Sequence, residues 1–198
     1  MINIAIFASG TGSNAQKIIE HFAGHDTIRV ALVVSNKSTA KVLTMAAGYN
    51  IPTLRLKKTV FTESEEILEI FDRYSINFIA LAGFLLLIPP YLVRNYQGHI
   101  LNIHPSLLPE FGGKGMYGIK VHQAVKAAGK RETGMTIHFV NEHYDKGDIL
   151  FQAKCALSPE DSAEEIAAKV LKLEHAHYPV VMEKLLRGQV GGVGSQTR

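Results

Sequence analysis

The chain has one cysteine, Cys155, in 198 residues. That excludes an intrachain disulfide framework and fits a reducing compartment. Charge of one sign is equally scarce, since 21 Lys and Arg against 18 Asp and Glu leave a net +3. With no block of like charge, the sequence does not read as a nucleic-acid binder, although the small positive excess suits anionic small substrates. No basic stretch followed by a long apolar run opens the chain, so no signal peptide is expected. The most apolar segment, 78–88, is interrupted by Gly83 and runs into Pro89-Pro90. It is too short to cross a bilayer core of roughly 30 Å. Repeats and linkers are also lacking. Secreted, membrane, collagen-like and disordered classes are thereby excluded, and a cytoplasmic protein is expected. The composition, 46% hydrophobic and 20% charged, is that of an ordinary globular protein long enough to bury one core. The unusual abundance is histidine, with nine residues.

Two kinds of segment alternate along the chain. Short apolar runs with β-branched residues occupy 2–8, 28–34, 53–56, 78–81, 100–104, 134–140 and 149–157. Helix-period segments cover 14–22, 40–49, 63–74, 119–128 and 162–186. This alternation predicts βαβ units and a mostly parallel sheet. Pro159, Glu160 and Asp161 gather where the last helix begins, and acidic groups suit that end of a helix dipole. Gly188 is a plausible stop. The expectation is one domain over 1–188 and a frayed Gly/Ser/Gln-rich tail over 189–198.

Directly after the first strand comes Ser9-Gly10-Thr11-Gly12-Ser13-Asn14-Ala15 and then a helix. Free backbone N–H groups and the helix dipole favour an anion there. Gly10 and Gly12 allow close approach of a phosphate, and Ser13 or Asn14 can cap the helix. The same residues satisfy the dinucleotide pattern G-x-G-x-x-A. NAD would need a carboxylate at the end of the second strand, where Val34-Ser35-Asn36-Lys37 offers none. Lys37 keeps an NADP reading open, and a tight turn without ligand is the plainer alternative.

The sharpest signal is Asn102-Ile103-His104-Pro105-Ser106-Leu107-Leu108-Pro109. Strand side chains alternate, so Asn102 and His104 share a face near a strand end, which Pro105 stops. An amide can donate to a developing oxyanion, and an imidazole can move protons near neutral pH. Downstream, a strand through His138 leads to the polar turn Asn141-Glu142-His143-Tyr144-Asp145-Lys146-Gly147-Asp148. Asp145 or Asp148 can lie against His104, where a carboxylate raises the histidine pKa. His138 and His143 are expected to line the neighbourhood.

Three stretches together, the ASGTGSN loop, NIHPSLLP, and HFVNEHYDKGDILFQAK downstream, resemble the folate-dependent formyltransferase family, over nearly the whole chain. The resemblance implies a Rossmann-like three-layer α/β sandwich with a mostly parallel, twisted sheet. It implies transfer of a formyl group from 10-formyltetrahydrofolate to the amine of glycinamide ribonucleotide in purine biosynthesis. Asn102, His104 and Asp145 would be catalytic, with His104 protonated in the mechanism. Gly12, Ser13, Asn14 and Glu174 would hold the phosphate and ribose. Leu85, Leu86, Leu87 and Ile88, with Asn102, Asn141, Glu142, His143, Tyr144 and Asp145, would bind folate. Partners would be small molecules, with no metal, nucleic acid or membrane, and the protein a monomer or weak homodimer.

The chain departs from the family pattern at three places. Leu86 stands where many members carry arginine. The phosphate-binding basic residue expected upstream of the third helix has no clear counterpart, and Lys57 and Lys58 are the candidates for it. The segment 111–118 is long and glycine-rich, and Lys114 within it can meet an anion. Relatives acting on methionyl-tRNA share the core but carry a further C-terminal domain, so length and the small net charge disfavour that substrate. An NADP oxidoreductase is the second alternative. A metal hydrolase is the third, but His175 and His177 diverge on a helix and no H-E-x-x-H occurs.

Overall fold

A computed structural model describes residues 1–188. The expected tail at 189–198 lies outside the described residues. Strand β1 (Ile2–Phe7) leads through α1 (Ser13–Phe22), β2 (Ile28–Ser35) and α2 (Lys41–Gly48) to β3 (Thr53–Arg55). Two short helices, α3 (Lys58–Glu63) and α4 (Glu66–Arg73), return the chain to β4 (Phe78–Leu81). Then come α5 (Pro90–Asn95), β5 (Ile100–His104), α6 (Ile119–Ala127), β6 (Glu132–Phe139), β7 (Ile149–Ala156) and α7 (Ala163–Leu186).

The seven strands form one sheet in the order β3-β2-β1-β4-β5-β6-β7. Pairing is parallel from β3 to β5 and antiparallel across β5, β6 and β7. This is the mostly parallel sheet that the alternation predicts. Helices cover both faces, and the alternation within β1 shows why. Ile4 and Ile6 pack into one cluster with Ile18 of α1, Val42 of α2, Val125 of α6 and Val170 of α7. Ala5 and Phe7 turn the other way, toward Phe61 of α3, Phe71 of α4 and Leu92 of α5. A strand so covered is apolar at nearly every position, Asn3 being the exception in β1. Each such buried Ile or Phe contributes about 1.5–3 kcal/mol.

Sequence and structure differ at four helix ends. The 63–74 segment holds α4 and only the last residue of α3, a helix the periodicity does not predict; the two part at Ser64, which is extended (φ −135°, ψ 150°) and whose hydroxyl accepts from the Glu66 N–H at 3.2 Å. Helix α5 opens with Pro90 at its first turn, where a missing N–H is harmless. The Pro-Pro pair that reads as a stop is therefore also a start. Ser162 caps α7, its Oγ accepting from Glu165 N at 3.1 Å while Glu165 Oε2 accepts from Ser162 N at 2.7 Å. Glu164 and Glu165, rather than Glu160 and Asp161, are the acids of its first turn. Neither Ser13 nor Asn14 caps α1. Gly12 does, in the left-handed region at φ 85°, and a Cβ there would press into Val42.

The chain runs outward from β1 to β3, then crosses to β4 on the other side of β1. Such a reversal leaves a crevice at the strand C-termini, the usual ligand position in open α/β sheets. Helix α7 spans that region. Its fully buried Tyr178 hydroxyl lies 3.0 Å from Leu81 O and 3.1 Å from Leu101 O, tying the helix to β4 and β5.

Candidate active site

Loops leaving β1, β4 and β5 frame the crevice and are cross-linked. Ser9 Oγ donates to Asn36 Oδ1 at 2.6 Å and accepts from Leu85 N at 3.0 Å, while Ser9 N donates to Gly83 O at 3.0 Å. The glycine loop and the 83–88 segment are thus held by one small hydroxyl. Beyond β5, Thr136 Oγ1 donates to Ser106 O at 2.6 Å and accepts from Leu108 N at 3.0 Å. Gln152 Nε2 completes the set with Leu108 O at 3.0 Å. These bonds fix the chain immediately after His104.

Asn102 and His104 share a face of β5, and Asn102 is paired in register with His138 of β6. The 140–148 turn folds back along this face and delivers Asp145, itself in the left-handed region at φ 53°. Asp145, and not Asp148, is the acid beside His104. Its Oδ2 accepts from Gly113 N at 2.7 Å and lies 3.6 Å from His104 Nδ1. Its Oδ1 lies 3.4 Å from Asn102 Nδ2 and 3.6 Å from His138 Nε2. Asn102 Nδ2 is 3.0 Å from His138 Nε2, and His138 Nδ1 is 2.8 Å from Phe139 O. The carbonyl only accepts, so His138 carries its proton on Nδ1 and takes the Asn102 amide hydrogen on Nε2. By the same logic His104 donates from Nε2 to Phe111 O, at 2.8 Å.

Burial decides the charge of this cluster. It opposes charge on Asp145, but the neighbouring His138 and His104 rings and the Gly113 N–H outweigh it and hold the carboxyl below its ordinary value. On His104 burial wins: although Asp145 and the Phe111 carbonyl favour imidazolium, the pKa is lowered. The rise expected from a neighbouring carboxylate is present and outweighed. The resting ring is therefore neutral at neutral pH.

The cluster forms one part of a cavity of about 660 Å³, within the usual range for small-molecule sites. Leu85, Leu86, Leu87, Ile88 and Val140 give it an apolar wall, and Asn141, His143 and Tyr144 also line it. At the far side, Asn14 Nδ2 donates to Glu174 Oε2 at 2.6 Å. Glu174 is only 7% exposed, and burial pushes its carboxyl up to about 7 despite the Asn14 hydrogen bond. The N–H groups of Gly12, Ser13, Asn14 and Ala15, at the start of α1, make no hydrogen bond among the described residues.

The formyl transferase family profile matches residues 2–182. The chain belongs to the formyl transferase family. Phosphoribosylglycinamide formyltransferase of Haemophilus influenzae is 36% identical over 195 residues, covering 96% of this chain and 90% of that protein. The chloroplastic phosphoribosylglycinamide formyltransferase of Arabidopsis thaliana is 44% identical over 185 residues, 90% of this chain. The chain spans 63% of that plant protein's length. The crystal structure of glycinamide ribonucleotide transformylase 1 from Geobacillus kaustophilus matches at TM-score 0.83 with 37% identity, over 94% of this chain and 99% of that one.

In this member of the family the structure gathers most, not all, of the residues singled out in the sequence. Glu142 does not line the cavity; its Oε1 turns to Arg94 Nη1, 3.9 Å away, at an exposed position. Gly12 and Ser13 adjoin the cavity through Asn14 but do not line it. Lys37, Lys57 and Lys58 are absent from the lining, and Lys114 is its sole Lys or Arg. His175 is partly buried and His177 packs its ring on Phe151 at 5.1 Å, away from the cluster. Two lining histidines carried no expected role in binding or catalysis: His138, which orients the Asn102 amide, and His122 of α6. His138 was expected only to line the neighbourhood, and its pairing opposite Asn102 gives it the orienting role. His122 has no local motif.

Proposed function

We propose that this chain transfers the formyl group of 10-formyltetrahydrofolate to the amine of glycinamide ribonucleotide, a one-carbon step of purine biosynthesis. The observation that carries this reading is the knit cluster Asn102–His138–Asp145–His104 in a cavity whose opposite side offers Asn14, Glu174 and open N–H groups. The names of the relatives support the choice of substrates. Residues 1–188 act as one catalytic unit, as a monomer or weak homodimer, in the cytoplasm. The single half-buried thiol, Cys155, supports a reducing compartment, and no described helix is long and apolar enough to cross a membrane.

The apolar wall of Leu85, Leu86, Leu87 and Ile88 suits a flat folate ring, with Asn141, His143 and Tyr144 along the edge. Bound there, the folate supplies an activated formyl carbon. The amine attacks that carbon, the bond to the folate nitrogen breaks, and the amine proton ends on that nitrogen. Asn102 answers the charge developing on the formyl oxygen. Its 3.4 Å contact to Asp145 is long for a hydrogen bond, so one amide hydrogen is free to turn. His104 holds the proton in transit: protonation at Nδ1 leaves Nε2–H on Phe111 O and sets the new N–H against Asp145 Oδ2. The N–H groups of Gly12, Ser13 and Asn14 take the phosphate, and Glu174 the ribose.

The test is a formyl-transfer assay with 10-formyltetrahydrofolate, offering glycinamide ribonucleotide and initiator methionyl-tRNA side by side. Formylation of glycinamide ribonucleotide is expected. Transfer to tRNA alone overturns the substrate assignment.

A further inference from the structure

His122 lies on α6 with Ile119 facing the cavity, while Val121 and Val125 of the same helix turn into the core. The residue is 5% exposed, and neither ring nitrogen has a hydrogen-bond partner among the described residues. Nδ1 is sealed from solvent and unpaired, whereas Nε2 is not sealed. Buried polar groups in folded proteins are nearly always paired, and an orphaned N–H donor is rarer than an orphaned acceptor. The proton therefore belongs on Nε2, where the ring meets the cavity. Burial, and then the nearby His104, lower the pKa of His122, so the ring is an uncharged donor at neutral pH.

Its placement indicates which substrate it meets. Helix α6 packs on α7, and α7 supplies Ala167, Val170, Leu171 and Glu174 to the same side of the cavity. The apolar wall lies on the other strands' loops. We infer that His122 Nε2–H donates a hydrogen bond to an uncharged oxygen of the amine-bearing substrate, making His122 a binding residue on the Glu174 side of the cavity. This rests on the formyl-transfer reading above.

The test compares His122→Gln, whose amide nitrogen reaches the place of Nε2, with His122→Asn, whose amide reaches only the place of Nδ1, and with His122→Phe. Thermal melts and circular dichroism establish folding. The KM for glycinamide ribonucleotide is expected to rise about tenfold or more in the Phe and Asn variants, the equivalent of one lost hydrogen bond. The Gln variant stays within about threefold of the parent, and the KM for 10-formyltetrahydrofolate is unchanged throughout. An unchanged KM in the folded Phe variant overturns the inference, as does a rise shared equally by both substrates. Asn restoring function where Gln does not also overturns it. If the parent protein itself transfers no formyl group, the reading of function fails instead, and the two failures are thereby distinct.

Discussion

The two sides of the cavity are built on opposite accounts of their polar atoms. On the β5–β6 side, Asn102, His104, His138 and Asp145 are engaged with one another, with the carbonyls of Phe111 and Phe139, and with the Gly113 N–H. On the α1–α6–α7 side, Asn14 Oδ1 is buried without a partner, His122 Nε2 meets the cavity unpaired, and the first N–H groups of α1 are open among the described residues. A saturated network holds catalytic groups in one geometry before substrate arrives. Unpaired groups do the reverse: they cost stability in the free protein and lose that cost when a ligand pairs them. Under the proposed function, the contrast separates a side that acts from a side that receives.

Breaking the saturated side has the largest expected effect. His104→Ala and Asp145→Ala should each lower kcat by roughly 10²–10⁴ while the melting transition stays near that of the parent. Single-turnover transfer together with a thermal melt checks this, and undiminished turnover in either variant refutes the division of roles. The receiving side is read out through pH. Glu174 holds its proton up to about 7 when folded, against an ordinary value of 4.5. Between those values the folded state binds more protons than the unfolded, so stability falls as pH rises through this window. The loss is at most about 3 kcal/mol, and urea melts at pH 5 and pH 8 should show it. Glu174→Gln should remove that part of the slope; a slope identical to the parent's assigns it elsewhere. The smallest effect is expected at the joint between the sides. Tyr178→Phe leaves the Leu81 and Leu101 carbonyls without the hydroxyl and should cost about 1 kcal/mol of stability. Its kcat should be unchanged, and a large fall would mean that the two sides are not separable.

The elements of the fold were legible wherever one periodicity ran uninterrupted. The run 2–8 is apolar at every position but Asn3 because both faces of β1 are covered, and 100–104 ends at a proline that stops the strand. The break at Ser64 was not legible, because a serine beside an apolar period gives no sign that its backbone is extended and its hydroxyl takes the Glu66 N–H. Within the site, Asn102 and His104 follow from strand alternation alone. The choice of Asp145 over Asp148 depends on a left-handed backbone at Asp145, and no spacing rule conveys that. The direction of the His104 shift was missed for a different reason. Sequence names the neighbouring charge but not the degree of burial, and here burial is the larger influence. His122 is a lone histidine on a helix until the packing of α6 on α7 shows its nitrogens unpaired.

Ser9 carries a consequence for how this protein varies between species. Its hydroxyl joins the end of β2 through Asn36, the glycine loop, and the apolar wall through Leu85 N. Alanine in its place loses all of these side-chain bonds, and any larger side chain must displace a buried neighbour. Substitutions at 9, 36 and 83–88 should accordingly appear together in natural sequences rather than singly. The loop read as a phosphate cradle and the wall read as a folate surface have one shared mutational fate, set by a single oxygen atom.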